Sequence, residues 1–179
     1  MLETPFVFTL RHLRLFVLVC GMSVALSATA FSLKDTDGKS HQLAELKGKW
    51  VVINFWATWC APCVKEIPDI ADFANSAVAK GTGTAKGDGE KVRVLGIAID
   101  WDETDNKVKD ADKLKRTAKR FGHNYPLILS DASTEKVFGK IKGMPTTLVY
   151  NREGKLVYNK TGVVTKELLT RVVNGESVK

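Results

Sequence analysis

Cysteine and histidine are scarce in this chain, three of each in 179 residues, and that scarcity limits the chemistry more than anything present in abundance. Structural metal sites usually draw on four clustered ligands, yet none of His12, His41 and His123 stands at ligand spacing from Cys60 and Cys63. Cys20 lies in an N-terminal hydrophobic stretch, so the folded part keeps only the Cys60 and Cys63 pair and has no cysteine to spare for a structural bridge. Blocks of like charge are also missing. The net charge of +7 comes from scattered side chains, with aromatics mostly in apolar runs, which argues against a nucleic-acid partner. The glycines between Lys80 and Lys91 fit neither dinucleotide nor phosphate-loop spacing, because they follow a helix instead of joining a strand to one; they read as a flexible surface loop.

Long hydrophobic runs are limited to one. Arg11 and Arg14 precede an apolar stretch from Leu15 to about Ala30 that ends in the small residues Ala28-Thr29-Ala30, the pattern of an export signal. Its length approaches the ~17 residues at which a helix begins to span a bilayer, so an uncleaved membrane anchor is the alternative for residues 1–30. The remainder, 31–179, is long enough for one domain with a sizeable core.

What is present centres on Asn54-Phe55-Trp56-Ala57-Thr58-Trp59-Cys60-Ala61-Pro62-Cys63. A run of β-formers from Val51 to Trp56 ends in a short turn, and two thiols two residues apart open a helix expected over Ala61 to Ala79. Cys60 at the helix start has unpaired N–H groups and the positive end of the helix dipole to stabilise a thiolate, and Pro62 suits the first turn. Cys63, one turn further in, is close enough for a disulfide and more shielded, which makes Cys60 the nucleophile and Cys63 the resolving thiol. Trp59, expected at the surface beside them, argues against a purely structural pair.

The rest of the chain supplies an α/β scaffold. The turn Asp35-Thr36-Asp37-Gly38, between Phe31, Leu33 and Leu43, predicts an N-terminal β-hairpin. Val92–Asp100 predicts a buried strand, and Asp105–Phe121 a helix with Val108, Ala111, Leu114, Ala118 and Phe121 inward and a solvated stripe of Lys109, Lys113, Arg116 and Arg120 opposite. A short strand at Leu127–Leu129, a helix over Ser133–Lys140, strands Thr147–Tyr150 and Leu156–Asn159 around a turn, and a last helix capped by Thr165 complete a mixed sheet covered on both sides. Leu168, Leu169, Val172 and Val173 of that helix are expected to face inward.

The dithiol segment, with Lys65-Glu66-Ile67-Pro68 after it and Gly143-Met144-Pro145-Thr146-Thr147 later, resembles the TlpA/ResA-type thioredoxins. The resemblance covers nearly all of Phe31 to Val173. It implies a thioredoxin-like fold with a central mixed sheet, flanking helices and the N-terminal hairpin as an extension. It also implies a thiol-disulfide oxidoreductase working in the periplasm or on the outer face of the cytoplasmic membrane. Such proteins reduce disulfides of exported proteins, apocytochrome c among them, and draw electrons from a transmembrane dithiol carrier. The Cys60–Cys63 disulfide is then the redox centre and no other cofactor is expected. By the same resemblance Pro145 is a cis proline beside the dithiol, and Trp59, Met144, Pro145 and Thr146 contact substrate, the Met144 backbone pairing with an extended segment. Glu66 matches the family's acidic residue near the cysteines, where burial raises its pKa and suits it to exchange a proton with Cys63. Asn54 departs from ordinary thioredoxins, which often carry a buried Asp there.

Two further chemistries have partial signals. Cys60 and Cys63 are soft ligands suited to delivering copper or zinc, although the chain offers them few companions. Asp100-Trp101-Asp102-Glu103-Thr104 after a strand resembles the first motif of haloacid-dehalogenase-type phosphatases, but no paired-Asp metal motif follows. The acids are instead expected to favour the next helix's N-terminus.

Overall fold

The computed structural model describes residues 31–76, 91–100 and 111–178. Residues 1–30, read above as an export signal or anchor, most of the glycine-rich loop, Val108, Lys109 and the start of the helix predicted from Asp105 lie outside the described residues.

At the centre is β3 (Trp50–Trp56), whose residues after Trp50 are all buried. It pairs in parallel with β4 (Val92–Ala98) and antiparallel with β6 (Thr146–Tyr150). Outside these lie β5 (Leu127–Leu129) and β7 (Leu156–Thr161), giving a five-stranded mixed sheet in the order β5-β4-β3-β6-β7. Because side chains alternate along a strand, β3 divides its residues between two cores. Val52 and Trp56 enter one cluster, and Val51, Ile53 and Phe55 the other.

On the first face pack α1 (Ala61–Asn75), α2 (Ala111–Phe121) and α4 (Lys166–Val173), through Ile67, Ile70, Phe73, Leu114, Leu169 and Val172 among others. The second face is closed by the hairpin of β1 (Ser32–Lys34) and β2 (Ser40–Gln42), a 3-10 turn at Leu43–Leu46, and α3 (Ala132–Phe138). Asp35 fastens the hairpin turn. Its Oδ1 accepts the Asp37 and Lys39 N–H groups, its Oδ2 is 2.7 Å from His41 Nε2, and its backbone bridges Ile128 of edge strand β5.

Several boundaries move. The dithiol helix ends at Asn75, where Ser76 turns extended (ψ 158°); Ala79, its expected end, lies outside the described residues. Pro68 is accommodated inside it. The helix expected over Ser133–Lys140 begins at Ala132, because the Asp131 carboxylate caps Ser133 and Thr134, and stops at Gly139 with φ 73°. Strand β6 starts one residue early and β7 runs two residues further, since Thr146 and Thr161 are paired. Leu168 is only half-buried, whereas Leu169, Val172 and Val173 face the core. No described helix is long and apolar enough to cross a membrane.

Candidate active site

Strand β3 delivers the chain into a short turn that is pinned on both sides. The Cys60 N–H donates to the Ala57 carbonyl at 3.1 Å and the Ile99 N–H to the Trp56 carbonyl at 2.8 Å. Thr58 donates both its N–H (2.9 Å) and its hydroxyl (2.8 Å) to Asp100 Oδ1. The register explains this. Trp56 pairs with Ala98, so two residues past each strand end Thr58 meets Asp100. The carboxylate expected to favour a helix N-terminus therefore serves the dithiol turn. Asp100→Ala is expected to cost about 2 kcal/mol, the scale of hydrogen bonds to a charged group, and to slow disulfide exchange by loosening Trp59 and Cys60. Urea unfolding and exchange rates on one preparation check both effects.

Cys60 is the N-cap of α1, with Pro62 in the first turn, and its Sγ accepts the Cys63 N–H at 3.3 Å. The two cysteines form a disulfide with their Cα atoms 5.3 Å apart. Cys63 is fully covered and Cys60 is 6% exposed, while Trp59 beside them is 67% exposed. Cys60 is thus the outer of the two sulfurs, bonded to Cys63 and seated over the helix N-terminus.

Glu66 sits three residues beyond Cys63 on the same helix and has no exposure. Its Oε1 accepts from Asn54 Nδ2 at 2.7 Å and its Oε2 from the Val164 N–H at 2.8 Å. Burial pushes its pKa up to about 7, outweighing the two hydrogen bonds; Asp69 adds to the rise and Lys160 opposes it. A carboxyl so poised holds or releases a proton near neutral pH. Asn54, buried on β3, also donates to Thr147 Oγ1 at 3.2 Å.

The Met144-Pro145 bond is cis. The Pro145 carbonyl accepts the Gly162 N–H at 2.8 Å, so Gly162 and Val164 tie the cis proline and Glu66 to one short connection between β7 and α4. Met144 is half-buried against the cluster containing both cysteines. Thr146 does not present its side chain as a contact residue should. Its Oγ1 donates to the Gly143 carbonyl at 2.8 Å and lies 3.0 Å from Thr161 Oγ1, and its backbone is paired on both sides; it holds the proline segment in shape. The Val164 N–H and Asp100 were missed in the sequence. A backbone N–H leaves no sequence signal, and Asp100 is legible only once the register of β3 and β4 is known. Among the described residues no three His, Cys, Asp or Glu side chains are grouped to hold a metal ion.

A strand-turn-helix dithiol with a cis proline and a buried carboxyl is accompanied by a match of residues 24–175 to the Redoxin family model. The chain belongs to the Redoxin family. This redoxin is 32% identical over 150 residues to the thiol-disulfide oxidoreductase ResA of Bacillus thuringiensis strain Al Hakam, covering 83% of this chain and 75% of the relative. It is a ResA-type thiol-disulfide oxidoreductase. Among solved structures, a thioredoxin-family thiol:disulfide interchange protein of Chlorobium tepidum TLS superposes with a TM-score of 0.62 at 28% identity, covering 82% of this chain and 92% of the other. The exposed lipoprotein thioredoxin of Streptococcus pneumoniae strain TIGR4 gives 0.60 at 26% identity, with 82% and 98% covered. The redoxin therefore has the thioredoxin-like fold expected of it.

Proposed function

We propose that this redoxin reduces disulfides of exported proteins, apocytochrome c among its candidate substrates, from the periplasm or the outer face of the cytoplasmic membrane. The observation that supports this best is Glu66: fully buried, three residues from Cys63, with a pKa near 7. The Cys60 thiolate attacks one sulfur of the substrate disulfide, forming a mixed disulfide and releasing the other substrate sulfur as a thiolate. Cys63 gives its proton to Glu66 and attacks Cys60 Sγ, so two electrons pass to the substrate and the Cys60–Cys63 bond closes. Trp59 and the Met144-Pro145 segment receive the substrate strand. A transmembrane dithiol carrier then reopens the bond. Ala61-Pro62 places no positive charge between the thiols, which leaves the thiolate without the added stabilisation of a strong oxidant and favours reduction. The hydrophobic segment within residues 1–30 supplies export, and a tether where it stays uncleaved.

The deciding experiment is capture. Cys63→Ser leaves Cys60 to hold its partner as a mixed disulfide, and mass spectrometry of complexes from the exported compartment should identify a cysteine-bearing exported protein. Recovery of no cysteine-linked partner, from a variant that still reacts with small disulfides, overturns the substrate class.

A further inference from the structure

Four buried polar atoms of the described residues have no hydrogen-bond partner in the protein: Asn54 Oδ1, Trp56 Nε1, His123 Nε2 and Tyr125 Oη. Each such atom costs about 1–3 kcal/mol if left unsatisfied, and folded proteins keep few of them. These four are not scattered. The Trp56 and His123 ring centroids are 4.3 Å apart, and those of His123 and Tyr125 5.1 Å. Gly96 of β4 runs close against these rings: a Cβ there would lie 2.9 Å from Leu127 Cδ2, 3.0 Å from Tyr125 Cε2 and 3.4 Å from Trp56 Nε1, so the missing side chain is what lets the strand pass this near. Asn54, two residues before Trp56 on the same strand face, is bonded to Glu66. A charge on Glu66 also acts on Tyr125, adding to the rise in phenol pKa that burial produces.

The chemistry of the set is complementary to water. His123 Nδ1 lies 3.2 Å from the Ala118 carbonyl, which can only accept, so Nδ1 carries the proton and Nε2 offers a lone pair. Burial lowers the ring's pKa to about 4, keeping it neutral in ordinary buffers. Trp56 Nε1–H is a donor, His123 Nε2 and Asn54 Oδ1 are acceptors, and Tyr125 Oη is either. Buried waters typically make about three hydrogen bonds to groups of this kind.

We propose that Trp56 Nε1, His123 Nε2 and Tyr125 Oη hold a buried water that carries protons between Glu66 and solvent, making His123 and Tyr125 positioning residues for the thiol-disulfide reaction. The inference rests on the proton-handling role given to Glu66 above. When Cys63 closes onto Cys60, its two electrons leave with the substrate and its proton stays on Glu66. That proton passes to the water at Tyr125 and from it to solvent, while His123 Nε2 orients the water by accepting its hydrogen bond. The ring, partly exposed, stays neutral throughout, its Nδ1 proton held by the Ala118 carbonyl. The other charged groups acting on Glu66, Asp69 and Lys160, set its affinity for the proton but are not members of the unpartnered set.

The test uses the full chain with oxidised and reduced glutathione as exchange partners, so that no biological substrate is needed. In dilute buffer at pH 7, His123→Ala and Tyr125→Phe should slow exchange roughly tenfold, less than the loss of a group that transfers the proton directly. Added imidazole should restore His123→Ala, while wild type stays indifferent to buffer. A loss that imidazole does not restore, or wild-type rates in both variants, overturns the relay. In wild type the Trp56 indole N–H should show magnetisation exchange with water, and its absence has the same force. Glu66→Gln separates the two levels. If it leaves the pH profile of exchange unchanged, the role of Glu66 falls; if it alters the profile while the His123 and Tyr125 variants match wild type, only the relay does.

Discussion

Cys60→Ser is expected to remove disulfide reduction by a factor of roughly a thousand or more, the scale on which losing a nucleophile is felt in other enzymes. Cys63→Ser should keep the first attack and lose only release. The asymmetry comes from the helix terminus. Cys60 is the N-cap, so its sulfur accepts the Cys63 N–H and feels the positive end of the helix dipole. A serine hydroxyl at the same place stays protonated and cannot attack sulfur. Cys63, with no exposure, has no access to a substrate but lies in bonding range of Cys60. Single-turnover kinetics with a labelled protein disulfide separate the two steps. Equal loss of the first attack in both variants would contradict the assignment of nucleophile and resolving thiol.

Glu66→Gln should change the pH dependence of stability by about 3 kcal/mol, the free energy of a carboxyl whose pKa moves from 4.5 unfolded to about 7 folded. Below pH 4.5 both states hold the proton, and the buried neutral carboxyl contributes its full stability. Between 4.5 and 7 the unfolded chain gives up its proton while the folded one keeps it. Stability therefore falls as pH rises through this window and levels off above pH 7. Glutamine has no proton to lose, so the variant should gain on the wild type by that amount between pH 4 and pH 8 in urea unfolding of the disulfide form. The substitution also suits the site. Asn54 Oδ1 has no partner, so an amide flip lets Asn54 accept from the new amide while Thr147 reverses its hydroxyl. Parallel stability curves for the two proteins would show that Glu66 is not the perturbed acid.

The sequence revealed the parts of this site that local chemistry encodes. A β-former run, two cysteines and an early proline specify strand, turn and helix N-terminus without help from the rest of the chain, and these lie where expected. The cis geometry at Pro145 came through family resemblance, because a proline in sequence announces only its own restricted φ. What stayed hidden depends on pairing between distant strands. Asp100 reaches Thr58 only because β4 lies in register beside β3, and Thr146 turns inward only because β7 supplies Thr161. Helix ends misjudged by a few residues, at Asn75 and Phe138, were decided by Ser76 and Gly139 leaving helical geometry.

The division of β3 between its two cores has a consequence for how such a protein can diversify. The disulfide, Glu66, Tyr125 and the proline segment all belong to the side facing α1, while Val51, Ile53 and Phe55 face a layer that holds none of them. Heat tolerance can thus be tuned through the foundation beneath the sheet, and partner choice through the storey above it, with a single buried strand as the floor that keeps one set of changes from disturbing the other.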